Sequence, residues 1–297
     1  GRVKRISPEA PVPVVDVTSE NLLLGGAANV AHNVSSLGGK VLMSGVVGRD
    51  SDGRRLVKEL KNRGVVTEGI IVEEGRPTTI KTRIIAHSQQ VVRFDREKRD
   101  GVGGETIAAV LDYLKGAVEA VDVVVISDYA KGLLTKELVK RVVRLGRQRG
   151  KMVVVDPKVN HFDYYRGATI ITPNNDEASQ ASGIDIVDEA SLLKAGRSLL
   201  TSSGCGAVLI TRGEHGMSLF ERGKRVCNIP TVAREVYDVS GAGDTVVAIM
   251  ALALAAGASF REAAVIANYA AGIVVSKVGT ATVSADELRR VINEAPL

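Results

Sequence analysis

Residues 238–245 read Asp238-Val239-Ser240-Gly241-Ala242-Gly243-Asp244-Thr245, and an apolar helical run, Val246 to Ala256, follows at once. Gly241 and Gly243 let the backbone turn tightly and come close to a ligand. The helix behind them presents unpaired N–H groups in its first turn, where negative charge is favoured. Asp244 falls in that turn, and the helix dipole is expected to hold it ionised, ready to accept a proton at neutral pH. Amide donors beside an ionised carboxylate suit phosphoryl transfer to a hydroxyl. The donors hold the charge that develops on the phosphate, and the carboxylate takes the hydroxyl proton. Taken alone, the stretch fits equally a glycine turn whose aspartate stabilises a helix start. Two other phosphate-binding motifs are excluded. Val246 stands where a dinucleotide fingerprint would carry its third glycine, which argues against an oxidoreductase, and no Gly-Lys-Ser/Thr occurs for a Walker-type loop.

The chain has 297 residues, 45% of them apolar, enough for a large core in one or two α/β domains. Its apolar runs fall short of the roughly eighteen residues a membrane span requires, so no membrane association is expected, and no signal peptide is read at the N-terminus. Cys205 and Cys227 have neither metal nor redox spacing and are expected to be reduced, as in a cytoplasmic protein. His32, His87, His161 and His215 form no i, i+4 pair that would suggest zinc. Net charge is +5, with Arg141, Arg144, Arg147 and Arg149 on the solvated face of one helix. With four Phe, six Tyr and no Trp there are few stacking platforms for nucleic acid, and an anionic small molecule accounts for the surplus as simply.

The first 24 residues read as extended, with Pro8, Pro11 and Pro13 suiting an edge strand or loop. Gly25-Gly26 opens a small-residue helix that Gly38-Gly39 ends. A strand over 41–47 and a helix over 52–62 follow. Residues 79–85 and 90–94 alternate as a hairpin joined by His87-Ser88-Gln89, and the block 70–96 is expected to pair with residues 3–17 as a small β lid. From Thr106 onward the pattern is strand then helix. Strands are predicted at 121–126, 152–155, 169–172 and 207–211, and a hairpin at 216–229. Helices are predicted at 135–148, 175–182, 191–202, 243–256, 260–277 and 284–293. Short apolar strands between helices predict a three-layer, doubly wound, mostly parallel sheet, with residues 1–297 as a single domain. Ligands of such sheets lie beyond the carboxyl ends of the strands. Here those ends carry Ser127-Asp128, Asp156-Pro157-Lys158, Thr172-Pro173-Asn174 and Thr211-Arg212-Gly213, and the helix start at 241–245 can share the rim.

With these residues in view, the chain resembles the ribokinase-like, or phosphofructokinase-B, sugar kinases from Gly25 to about Val283. Gly25-Gly26-Ala27-Ala28-Asn29, Leu37-Gly38 and the stretch from Gly45 to Gly53 match the N-terminal signature, and Asp238 to Asp244 the C-terminal one. Within that family, Arg5 to Val14, Ser127 to Gly132, Asp156-Pro157-Lys158, Tyr165 to Thr169 and Glu235 to Val239 are similar to segments of the heptose 7-phosphate kinases. The resemblance implies that ATP phosphorylates the anomeric hydroxyl of D-glycero-β-D-manno-heptose 7-phosphate to the 1,7-bisphosphate. Other family kinases for hexose phosphates or nucleosides, or a non-catalytic nucleotide-binding relative, are the alternatives.

The resemblance also implies roles. Asp244 is the catalytic base, with Gly241, Ala242 and Gly243 as the anion hole. Asn174-Asn175-Asp176-Glu177 positions the ATP phosphates and magnesium, with Glu177 reaching the ion through water or phosphate. Asn-x-x-Glu is also the spacing of a helix capping box. Thr211, Gly213 and Gly216 match the nucleotide-side loop, and Asn268 and Gly279 match positions lining the adenine and a monovalent-cation loop. Gly25, Gly26 and Asn29 match the turn that binds sugar hydroxyls. The far phosphate needs a cation, for which Arg93 and Lys158 are chosen, with Lys81, Arg83 and Lys131 behind them. Relatives pair through their lids, so a homodimer is expected. In the family a first strand ending in a sugar-binding aspartate precedes the position of Gly1, which implies that the sequence begins after that strand. Some relatives also carry a C-terminal nucleotidyltransferase domain.

Overall fold

Along the central strands, neighbouring residues enter different cores. Val154, Ile170, Ala207 and Leu209 point to one side, and Val153, Val155, Ile171, Val208 and Ile210 to the other. Both faces of these strands are apolar, so the sheet is stable only with helices on both sides. A computed structural model describes residues 1–87, 89–233 and 235–294 and shows this arrangement. In chain order the elements are β1 (Arg2–Ile6), β2 (Pro13–Asp16), α1 (Ala27–Ser36), β3 (Leu42–Gly48), α2 (Ser51–Asn62), β4 (Val66–Glu73), β5 (Ile80–Ala86) and β6 (Gln89–Arg96). Then come α3 (Gly104–Ala117), β7 (Val123–Ser127), α4 (Lys136–Gln148), β8 (Met152–Asp156), β9 (Ile170–Ile171), α5 (Asn175–Ser182) and α6 (Glu189–Ser203). The chain continues through β10 (Ala207–Thr211), β11 (Met217–Glu221), β12 (Cys227–Ile229), α7 (Ala242–Ala255), α8 (Phe260–Val275) and α9 (Ala285–Asn293).

The main sheet runs β12-β11-β10-β9-β8-β7. Strands β7 to β10 are parallel, and β11 and β12 turn back antiparallel at one edge. Helix α7 is apolar all round and buried from Thr245 to Ala251, which places it inside the layer that covers one face. Val30 of α1 joins the same core. The other face is closed by residues of α3, α4 and α6, among them Val110, Val139 and Leu199. No helix is long and apolar enough to cross a membrane among the described residues, and both cysteines are free.

The small strands differ from the predicted arrangement. Residues 70–73 belong to β4, which pairs in parallel with β3, because Gly45, Val46 and Val47 meet Ile70, Ile71 and Val72 in one ladder. Hairpins β1–β2 and β5–β6 are each a separate two-stranded ladder. They meet where the Gly1 amine donates to the Ile85 carbonyl (2.7 Å) and His87 Nε2 approaches the Val3 carbonyl (3.2 Å). Ser88, in the predicted hairpin turn, lies outside the described residues. No ladder joins β3 to β7 among the described residues.

Asp50 ties this half together. Its carboxylate caps α2 through the Gly53 amide (2.7 Å) and accepts from the amide (2.8 Å) and hydroxyl (2.7 Å) of Thr78, whose hydroxyl oxygen also accepts from Gly48 N (3.0 Å). Burial opposes its ionisation, but the bonds from Thr78 and Gly53 prevail and hold it at about 2, against an ordinary 3.8. A depressed carboxyl stabilises the fold above its unfolded value, and that stability is lost as pH falls through the folded value. Asp50→Ala is therefore expected to cost about 1–2 kcal/mol at neutral pH. The difference from the unsubstituted chain should shrink as pH falls from 3.8 towards 2, as read by denaturant melts across that range.

Candidate active site

The parallel strands end on one rim. Ser127 faces Asp156 in the β7–β8 register, the Asp128 amide donates to the Asp156 carbonyl (3.0 Å), and Thr211 N donates to the Pro173 carbonyl (3.0 Å). Asn174 bridges to Thr211. The N-terminus of α7 is joined to this rim by Tyr129, which follows β7 directly.

Asp244 stands in the first turn of α7, where it meets two other elements. Its Oδ2 accepts from the Asn29 amide of α1 (2.7 Å), and its Oδ1 accepts from the Tyr129 hydroxyl. Below it, Thr245 donates to Asn33 Oδ1 (3.2 Å), and Asn33 donates to the Asn29 carbonyl (3.0 Å). Asn29, Asn33 and Thr245 are fully buried, so each of these polar groups must find its partner inside the protein. Gly241, the residue before α7, has φ 82°, and a Cβ there would lie 2.7 Å from Asn29 Nδ2. No other residue type fits so close to the amide that holds Asp244. Gly26, at φ 55°, opens α1 in the same way, with a hypothetical Cβ 3.2 Å from the Tyr129 ring.

Its place in the first helical turn predicts that the helix dipole keeps Asp244 ionised. Burial instead pushes its carboxyl upward, and the hydrogen bonds from Tyr129 and Asn29 oppose that shift without cancelling it. Asp156 is raised well above the ordinary range by burial and by the carboxylates of Asp244 and Glu177, with Lys158 in opposition. Tyr129 is raised by burial and by both Asp244 and Asp156, so it remains a hydrogen-bond donor.

Of the three amides expected to form an anion hole, Gly241 and Gly243 are unengaged among the described residues and Ala242 is bonded. The Ala242 amide donates to the Val239 carbonyl (3.2 Å), whereas the amides of Gly241, Gly243 and Asp244 make no bond among the described residues. Those three are the donors open to an anion. Asp238 fastens the loop: it accepts from Ser240 N (2.8 Å) and Gly279 N (3.0 Å), and these bonds hold its carboxyl below the ordinary range. Thr280, the residue after Gly279, donates to the Leu24 carbonyl (3.0 Å), which draws the loop before α1 into the same assembly. Asn29 thus meets Asp244, while Gly279 and Thr280 bind Asp238 and Leu24 beside it in the chain.

Asn174 and Glu177 form the capping box that the spacing allowed. Glu177 N donates to Asn174 Oδ1 (2.9 Å), and Asn174 N donates to Glu177 Oε2 (3.1 Å). The second carboxylate oxygen of Glu177 faces Lys158 Nζ (3.2 Å). Lys158, Asn174, Asp176 and Glu177 line an open cavity of about 310 Å³. Asn175, the first residue of α5, is not among its lining residues. Gly213 and Gly216 bracket a tight turn after β10. Asn268 is buried, and its amide is spent on the Pro230 carbonyl (2.7 Å), so in this structure it holds α8 to the segment after β12.

The two cations chosen for the far phosphate stand in separate clusters. Lys158 belongs with Glu177 and Asp156. Arg93 lies on β6 directly opposite Arg83 on β5, beside the ion pairs Arg93–Asp95 (3.1 Å) and Lys81–Asp95 (2.8 Å), and Lys131 pairs with Glu97 nearby. The charge of Arg83 adds a small contribution to the ionised form of Asp238.

Magnesium takes few protein ligands when it arrives with phosphates, commonly one or two carboxylates plus water. The rim suits that mode. It offers Asp156 and Glu177, and no cluster of three His, Cys, Asp or Glu forms a closed metal cage among the described residues. Tyr129 and Asn33 were not singled out by sequence reasoning. Tyr129 enters only as one member of the stretch from Ser127 to Gly132, past the carboxyl end of a parallel strand.

A glycine loop and a buried carboxylate thus stand together at the mouth of α7, joined through Tyr129 to the end of a parallel strand. Residues 2–287 match the pfkB family carbohydrate kinases, and the chain belongs to that family. It is 51% identical over 288 residues to the bifunctional protein HldE of Geobacter metallireducens and 49% identical to that of Geobacter sulfurreducens, in each case over 97% of this chain and 59% of the relative. The chain thus spans about three-fifths of the length of these curated relatives. Among solved structures it is similar to Arabidopsis thaliana ribokinase complexed with ribose and ATP, with a TM-score of 0.78 at 18% identity, covering 99% of this chain and 94% of that one. It is also similar to phosphofructokinase-2 from Escherichia coli in complex with potassium, with a TM-score of 0.76 at 19% identity over 98% and 93% of the two chains. At these identities the likeness is one of fold.

Proposed function

We propose that the chain transfers the terminal phosphoryl group of ATP to the anomeric hydroxyl of D-glycero-β-D-manno-heptose 7-phosphate, a step towards the ADP-heptose used in lipopolysaccharide core synthesis. The observation that carries the reaction type is Asp244, held by Asn29 and Tyr129 beside three open amides. The heptose is supported by the segments quoted above and by the high identity to the HldE proteins across almost the whole chain.

In this reading Asp244 accepts the proton of the sugar hydroxyl as the new bond to phosphorus forms. The amides of Gly241, Gly243 and Asp244 face the charge on the migrating group, and their donors are fixed before the reaction, so little reorganisation is needed. The rim of Asn174, Glu177, Thr211 and Gly213 takes the nucleotide, and Gly279 borders it. Magnesium, when bound with the nucleotide through Asp156 and Glu177, offsets phosphate charge. A monovalent cation near Gly279 belongs to the same reading. Gly25, Gly26 and Asn29 hold the sugar hydroxyls. Arg93, facing Arg83 across the hairpin, holds the far phosphate, since like charges placed directly opposite are unfavourable until an anion sits between them. The two hairpins β1–β2 and β5–β6 act as a lid over the single kinase domain.

Asp244→Asn should keep ATP binding, measured by calorimetry, and lose roughly two to four orders of magnitude in turnover. Near-normal ADP release from this variant rejects Asp244 as the base. A panel of sugar phosphates and nucleosides assayed by coupled ADP release tests the heptose against the other acceptors. Arg93→Ala should raise KM for the sugar phosphate about tenfold or more, with the affinity for ATP level. An unchanged KM removes Arg93 from the site.

The reading includes a homodimer formed through the lid. On one face of β5–β6, Phe94 is 56% and Val92 49% exposed, opposite Thr82 and Ile84. An apolar patch on a short two-stranded ladder suits burial against a second copy. Light scattering should find a dimer that Phe94→Asp converts to monomer, and a monomer at all concentrations counts against it.

A further inference from the structure

Tyr129 touches the base and is itself held from both sides. The turn that carries it is pinned at Asp128, a buried carboxylate whose Oδ1 accepts from Ala130 N (2.8 Å) and whose Oδ2 meets the Tyr165 hydroxyl (2.6 Å) and His161 Nδ1 (2.7 Å). Ala130 takes up φ 50°, a left-handed conformation that a residue with a Cβ adopts only when its surroundings impose it. Further along, the Lys131 carbonyl accepts from Arg76 Nη1 (3.2 Å), and the Gly132 carbonyl accepts from Val102 N (3.0 Å). From the other side, Gly26 packs against the phenol ring so closely that a Cβ would come within 3.2 Å of it. The ring has one place to be, and its hydroxyl reaches Oδ1 of Asp244.

We propose that Tyr129 is a positioning residue for phosphoryl transfer: with the Asn29 amide it fixes the plane of the Asp244 carboxylate and sets how readily that group takes the acceptor proton. The inference rests on the reading of Asp244 as base. An ionised carboxylate has about four lone-pair positions. Asn29 and Tyr129 occupy one on each oxygen and leave the remainder in fixed directions for the sugar hydroxyl. The groups that face Asp244 are Asn29 from α1, Tyr129 from the turn after β7, and the carboxyl of Asp156 at the end of β8. Burial works against the charge on Asp244, and the two hydrogen bonds work for it. Removing one donor must therefore make the carboxylate harder to ionise.

The test is the pH profile of kcat/KM for ATP and heptose 7-phosphate, whose acidic limb reports the base of the free enzyme. Tyr129→Phe should move that limb to higher pH by about one unit and lower kcat about tenfold, with ATP affinity by calorimetry unchanged. Replacement of Tyr129 by 3-fluorotyrosine, a stronger donor of nearly the same shape, should move the limb to lower pH, and it carries the test if the Phe variant does not fold. Limbs that stay in place in both proteins overturn the proposal. Asp244→Asn, assayed alongside, separates the two ideas. An inactive Asn variant with unmoved limbs retires Tyr129 and leaves the base, whereas an active Asn variant retires the base itself.

Discussion

The crossing of α1 over α7 is the constraint on which the site depends. Val30 and Val34 of α1 share one apolar core with the residues of α7. The interface carries buried polar side chains, however, and each costs free energy unless it is paired. Asn33 with Thr245 and Asn29 with Asp244 satisfy one another in a single register. A shift of either helix by one residue would strand all four in a core of aliphatic side chains. The same requirement that keeps the core satisfied thus places the Asp244 carboxylate, the proposed base, at the mouth of α7.

Asp238 in the glycine loop and Asp244 in the first turn of α7 show how environment sets two nearby carboxylates apart. Asp238 accepts from two backbone amides, its carboxyl is depressed, and it serves as a fixed anchor between the glycine loop and Gly279. Asp244, six residues later, is raised by burial and only partly restored by Asn29 and Tyr129. A group poised this way gives up and takes a proton more readily than an anchored one. Asp156 strengthens the contrast, because its carboxyl is held up by its acidic neighbours and by burial together.

Much of this architecture was legible before any coordinates. The short apolar runs at 152–155 and 207–211 became strands because each can bury both faces, and the runs between them became helices of nearly the predicted lengths. Strand β9 is shorter than its apolar run suggests, because the flanking Thr169 and Thr172 hydroxyls bond to the backbone of β8 at Val153 N (2.8 Å) and Val155 O (3.2 Å). Residues 70–73 alternate like the hairpin that follows, yet they lie in β4, since a period of two does not reveal which strand is the partner. The site was legible in its motifs and not in its contacts. Tyr129 and Asp244 are 115 residues apart in sequence, and nothing in the spacing of either reports their meeting. The engagement of the Ala242 amide by Val239 depends on the φ of Gly241, which a string of letters leaves open.

The motif at 174–177 bears on a wider point about reading such sequences. Asn-x-x-Glu reads both as a helix cap and as a ligand-positioning element. The structure gives one carboxylate oxygen of Glu177 to the cap and turns the other to a cation, Lys158. The capping bond removes rotational freedom that an exposed glutamate would otherwise keep, so the free oxygen is held in one direction at the rim of the sheet. A cap is in that sense a means of aiming a carboxylate. The same holds for Asp128, whose bonds to Ala130, Tyr165 and His161 serve a turn and thereby aim Tyr129. At this rim the local rules that stabilise helix starts and turns are also what orient the polar groups.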